Sequence, residues 1–474
     1  MKRICAISVV LAACHAFQCF SQPVGPVVWE FQTGGPVWGV PAIDSEGTIY
    51  IGAHETNQFY AINPDGTQKW KVPVRNPMQA VVGPGNRIFV GEAGVTDGKF
   101  FAFDADGKTL WDFAVNSPAA AVGADGRIYV SSHDRLFALG PDGRVLWTYT
   151  NTFSDVCLDS VLGPPLIGHD QAVYVTAGSA DRRLLAFNPN GTVRWQFNTG
   201  RVAEEDGGEC GTILIGERWG LPAMGTDGTI YVGATVGTSG FTPSSQPRLY
   251  AISASGTTNW HLSLHGIVIE SPAIGADGTV YVKTHSPSTN RLEAISSTGT
   301  RQWDAPIPGF SAHSPALASD GTILMGSTAG LVTMAMNGTD QNVLDVPGQI
   351  WAPVIAPGGR VYVSSYQGTL YALRGTADAA KTPWPMHRRD VMQSGRAPSI
   401  ATNRPALVSI QQRGGSLLEM RYTGEVARDY QIEASSNLVD WEAISAFASV
   451  EPVVPFRDPG ASGSRSRFYR LRSP

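Results

Sequence analysis

One repeated unit constrains this chain more than any other feature. It reads Ser271-Pro-Ala-Ile-Gly-Ala-Asp-Gly-Thr-Val-Tyr-Val-Lys283 and continues through Arg291-Leu-Glu-Ala-Ile-Ser-Ser-Thr-Gly-Thr-Arg-Gln-Trp303. A short apolar run led by Pro, a Gly-containing turn, an alternating strand, a variable loop, a further strand, a second turn and a closing Trp make four short strands. The phrase returns as Ile49-Tyr-Ile51 with Tyr60-Ala-Ile62 and Trp70, as Ile88-Phe-Val90 with Phe101-Ala-Phe103 and Trp111, and as Ile128-Tyr-Val130 with Phe137-Ala-Leu139 and Trp147. Further copies centre on Val173-Tyr-Val175, Ile230-Tyr-Val232, Ile323-Leu-Met325 and Val361-Tyr-Val363, so that eight can be counted.

A four-stranded unit with a period of about 40 residues marks a β-propeller, whereas helical repeats would show a 3.6-residue periodicity. The sequence therefore predicts an all-β fold, an eight-bladed β-propeller of four-stranded blades. The closing residues Trp29, Trp70, Trp111, Trp147, Trp195, Trp260 and Trp303 stand 41, 41, 36, 48, 65 and 43 residues apart, the long intervals reflecting insertions. They are expected to be structural, each a buried aromatic packed on the next blade. Trp29 precedes the first complete unit, so Val27-Val-Trp-Glu-Phe31 is expected to supply the outer strand of the last blade. That would close the ring and remove its open sheet edges.

A propeller grows by adding small inter-blade cores, so 474 residues pose no difficulty for one ring. Abundant Gly (53) and Pro (32) fit its many tight turns, and only 16% of residues are charged. The net charge of -5, with no Lys/Arg stripe, argues against nucleic acid as a partner. Met1-Lys-Arg3 followed by the apolar run Ile4 to Ala13 reads as a secretory signal peptide over 1–21. Leu11-Ala-Ala-Cys14 also resembles a lipobox, which would tether the protein to a membrane through Cys14. The expected location is thus secreted or periplasmic, or an outer-membrane lipoprotein. Beyond the leader stand two cysteines, Cys157 and Cys210, in comparable loops of neighbouring units. In an oxidising compartment they are candidates for one disulfide, the alternative being two free thiols.

In each unit, two turns such as Gly275-Ala-Asp-Gly278 and Asn63-Pro-Asp-Gly66 are short and would lie on one face. Their Asp-Gly pairs supply the positive φ that tight hairpins need, which is a simpler role for Asp104-Ala-Asp106-Gly107 than calcium ligation. The other two connections vary in length and are expected to form the binding face. The longest, from Arg201 to Trp219, is acidic and could join Asp155 and Asp159 in a cation site or simply be solvated. Two residues before each inner-strand Pro (Ala80 in the second unit) stand Gly39, Met78, Asn116, Gly163, Gly220, Glu270, His313 and Trp351. This position is expected to border the central channel. With Trp38 and Trp219 one residue earlier in their units, Asn116, Glu270, His313 and Trp351 form the candidate ligand site at the channel mouth.

The phrase Ala61-Ile-Asn-Pro-Asp-Gly-Thr-Gln-Lys-Trp70 and its copies resemble the tryptophan docking motif of the quinoprotein-like (PQQ-like repeat) propellers. The resemblance covers about 28–395 and includes Trp384-Pro-Met-His-Arg-Arg-Asp390 with Ser394-Gly395, similar to a segment closing secreted members. The family contains pyrroloquinoline quinone dehydrogenases, which use an adjacent cysteine pair and calcium, and a non-catalytic outer-membrane assembly lipoprotein. No adjacent cysteines occur here, so the resemblance favours the non-catalytic branch. It implies an exported binding or scaffolding propeller whose partner is an envelope or extracellular protein or glycan. No catalytic residue, metal or cofactor is expected. The alternatives are an oxidoreductase using pyrroloquinoline quinone and calcium, and a carbohydrate-active enzyme working through Glu270 and His313. From Ala397 the pattern changes. The sequence predicts a propeller over 22–395, a linker over 396–404 and a small β-sandwich-like module over 405–474, the last similar to a module of secreted bacterial proteins.

Overall fold

The computed structural model describes residues 24–397 apart from 95–96, 152–161, 178–182, 199–219, 237–245, 269, 311–312 and 391, together with six strands between 406 and 472. The leader with Cys14, the pair Cys157 and Cys210, the acidic loop with Asp155 and Asp159, and Trp219 lie outside the described residues. The described residues contain eight four-stranded antiparallel sheets, the blades expected from the repeat. Blades 1 to 7 span 42–73, 81–114, 119–150, 166–198, 223–263, 273–307 and 316–344. Blade 8 takes three strands from 354–375 and its outer strand, Val24–Gln32, from the start of the propeller. Trp29 pairs with Ala372 across that junction. The Thr33 amide and hydroxyl both donate to the Gly368 carbonyl, at 2.9 and 2.8 Å, just beyond it.

The repeat phrase has a direct physical reading. In each Trp-bearing blade the closing Trp lies opposite an Ala, as in Ala61↔Trp70 and Ala102↔Trp111, and the small side chain leaves room for an indole to lie across the sheet. The ring meets the aromatic residue of the second strand, with Tyr50 5.7 Å from Trp70 and Phe89 5.9 Å from Trp111 between centroids. Its N–H then donates to a carbonyl in the outer hairpin turn of the next blade. Examples are Trp29 to Pro64 (3.0 Å), Trp70 to Ala105 (2.9 Å), Trp111 to Pro141 (3.1 Å) and Trp260 to Ser297 (2.7 Å). Trp147, Trp195 and Trp303 do the same with Pro189, Ala254 and Met336. Beneath each indole sits the turn's glycine. At Gly143, φ is +82° and a Cβ would come within 2.6 Å of the Trp111 ring, so the Asp-Gly pair serves both the turn and the docking of the preceding blade. All seven rings are half-buried rather than fully buried, because each lies on the outer rim of its blade.

There are seven such tryptophans for eight blades, and closure of the ring explains the missing one. The outer strand of blade 7, Asn342–Leu344, carries none. The blade it faces has no outer hairpin turn to receive an indole, since the outer strand of blade 8 comes from the other end of the propeller.

After Gly375 the chain leaves the last blade and threads across the inner strands. The Trp384 and Pro385 carbonyls accept from Ile274 of blade 6 and Leu317 of blade 7, both at 2.8 Å. Further on, the Met392, Ser394 and Gly395 carbonyls accept from Val82, Val122 and Ile167 of blades 2, 3 and 4 at 2.9 to 3.1 Å. One segment, 384–397, thus binds the ends of five inner strands and floors the central channel. A gap of about 10 Å³, room for roughly one water, remains between Pro165, Pro222, Ser271, Trp384, Arg388 and Gly395.

The strands from 406 onward form two three-stranded antiparallel sheets, one holding Ala406–Gly414, Leu417–Thr423 and Val453–Arg457 and the other Asp429–Ser435, Glu442–Ala448 and Phe468–Arg472. Neither sheet shares a strand with the propeller.

Candidate functional site

The tight-turn face offers little chemistry. In the Asp104 turn, Oδ1 accepts from the Asp106 and Lys108 amides at 3.0 and 2.9 Å, so this carboxylate holds its own hairpin. The opposite face is different. Trp38, Phe310 and Tyr366, which are 52%, 40% and 40% exposed, all stand there on loops between or within blades 6, 7, 8 and 1. Trp38 stacks on His54 (4.7 Å, 17°) and reaches Tyr366 (6.0 Å), while Phe310 meets His285 edge-on at 4.6 Å.

Toward the axis of the same sector lie three of the sequence candidates. The His313 and Trp351 rings are 4.2 Å apart. Glu270 Oε2 is 3.1 Å from Nδ1 of His387, a residue of the floor segment, and the same Nδ1 is 3.1 Å from the Ser314 hydroxyl, itself 3.1 Å from Ser271. Across the channel, His387 Nε2 lies 3.1 Å from Gln79 Oε1, and the Gln79 amide donates to Gln393 at 2.8 Å. The floor is thereby wired to blades 2, 6 and 7. The other candidates go elsewhere. Trp38 belongs to the outer aromatic cluster, and Asn116 Oδ1 accepts from the Gly98 amide at 2.9 Å, which commits it to the loop of blade 2.

Lys283 is the residue that sequence reasoning passed over. It lies in the second strand of blade 6, is 7% exposed and donates from Nζ to the Gly326 carbonyl of blade 7 at 3.2 Å. A signal was available. The equivalent positions in the other blades are Gly52, Gly91, Ser131, Thr176, Gly233, Gly326 and Ser364, all small, because the loop entering the next blade packs on them. A lysine in that series has no route to the surface. Burial pushes its ammonium down to about 7 despite the attraction of Glu270, and burial likewise holds His313 down to about 4.

Both shifts favour the neutral form in the folded protein, so the unfolded chain binds more protons between the folded and unfolded values. Stability therefore rises with pH from about 4 to 6.5 through His313 and from about 7 to 10 through Lys283. Urea unfolding at pH 7 and pH 9 should show Lys283→Met removing about 1–2 kcal/mol of that upper rise. A pH dependence identical to the wild type would contradict the burial of an ionisable Lys283.

A family model described as outer membrane protein assembly factor BamB matches residues 16–123, 96–207 and 180–430. The chain belongs to this family. Among solved structures, this BamB-family propeller is similar to BamB from Moraxella catarrhalis, at 18% identity and a TM-score of 0.55 over 74% of this chain and 100% of that one. It is also similar to a chain of the mitotic checkpoint complex, at 11% identity and a TM-score of 0.47 over 80% of this chain and 100% of that one. No individual curated protein matches it. The family's link to PQQ repeats raises the calcium and quinone pair. Among the described residues of the BamB-family chain, no group of three or more His, Cys, Asp or Glu side chains could hold a metal ion, and no two of its cysteines are adjacent.

Proposed function

We propose that the chain is an exported, non-catalytic scaffold whose loop face docks a protein or glycan of the cell envelope. The observation that carries this is the exposure of three aromatics on the loop face, Trp38 with its neighbour Tyr366 and, separately, Phe310. Among the described residues these are the exposed large aromatics, and all three share one face. Half-exposed aromatic rings held in place by neighbours are the side chains that most often anchor partners. Membership of a family described by outer-membrane protein assembly makes an envelope protein the first partner to seek. In this reading the leader over 1–21 exports the chain, with Cys14 as the anchoring alternative, and Cys157 and Cys210 form a bridge.

The competing quinone reading is separable by a direct assay. Purified protein with pyrroloquinoline quinone, calcium and a dye acceptor should give no turnover on a panel of alcohols and sugars. Turnover that Glu270→Gln abolishes would replace the scaffold with an enzyme.

A further inference from the structure

The channel mouth gathers buried nitrogen donors that protein groups do not satisfy. His313 Nε2 and Trp351 Nε1 lack hydrogen-bond partners, as do Gln393 Nε2 and Arg388 Nε in the floor. His313 is 7% exposed, so bulk water does not account for its nitrogen, whereas Arg388 also lines the one-water gap beside Trp384. A buried donor without an acceptor costs about 1–3 kcal/mol, which makes such a cluster informative. The charges point the same way. Among the described residues, the carboxylates of Glu270 and Asp390 act on this cluster against Arg388 and Arg389, with Arg396 adding further positive field beside Arg389. Among the described residues, the channel centre therefore has unsatisfied N–H groups and an excess of positive charge.

We propose that the mouth is a binding site for a small monocarboxylate, with its two oxygens received by His313 Nε2 and Trp351 Nε1. Two donors on adjacent rings match the two oxygens of a planar carboxylate. Glu270 stands beside them and disfavours a dianion such as phosphate. This site is independent of the docking face, since a scaffold can act with the mouth empty.

Isothermal titration of the full chain with acetate and benzoate, against phosphate and chloride at constant ionic strength, tests it. The carboxylates should bind at one saturable site and more tightly than phosphate or chloride. Trp351→Phe keeps the ring and removes the N–H, and it should weaken binding about tenfold, as should His313→Phe, the loss expected for one hydrogen bond to a charged group. Near-UV circular dichroism establishes that both variants are folded. Absence of saturable binding, equal or tighter binding of phosphate or chloride, or wild-type affinity in either folded variant would overturn the assignment.

Discussion

Trp384→Ala should lower the free energy of unfolding by about 3–5 kcal/mol, the range for deleting a large buried aromatic. Trp384 is 1% exposed and packs with the core shared by blades 4, 5 and 6. It also begins the segment whose carbonyls hold the inner strands of five blades, so the side chain anchors backbone hydrogen bonds well beyond its own contacts. The indole N–H has no acceptor among the described residues, which leaves the loss to packing. Chemical denaturation reads the result. A loss under about 1 kcal/mol would mean that the floor is held by its backbone bonds alone.

The second large effect concerns the joint between blades. Trp111→Ala should cost about 2–4 kcal/mol, somewhat below the value for a fully buried ring because the indole is half-buried, with the bond to Pro141 included. Gly143→Ala should cost about 2 kcal/mol in the wild type, partly from a positive φ and partly from the collision with the Trp111 ring. Combining the two separates these causes. In the Trp111→Ala background the collision is gone, so Gly143→Ala should retain only the backbone part, and the double-mutant cycle should show coupling of about 1 kcal/mol. Strictly additive losses would place the role of Gly143 in its turn alone.

Much of the ring was legible because each element of the repeat answers a local requirement. The Ala opposite the Trp, the aromatic in the second strand and the Gly under the preceding indole are each demanded by contacts that recur in every Trp-bearing blade. Trp29, stranded ahead of the first unit, was enough to place the closing strand. The floor was not legible in this way. The segment 384–397 occurs once and has no strand or helix period, and it positions Arg388, Arg389 and Gln393 at positive φ through tertiary contacts that no local rule announces. The candidate site was half legible. Counting back from the inner-strand Pro found Glu270, His313 and Trp351, which the ring brings into one sector. The same count included Asn116, whose side chain a nearby loop takes up, and it could not reach His387, which comes from the floor more than 70 residues after His313.

The most direct test of the docking face is site-specific photocrosslinking in intact cells. A photoreactive residue is placed singly at Trp38, Phe310 or Tyr366 on the loop face, and at exposed Ser45 or Asp142 on the tight-turn face. The account predicts that the three loop-face positions crosslink to a common envelope component and that the two turn-face positions do not. Crosslinking confined to Ser45 and Asp142 would contradict it.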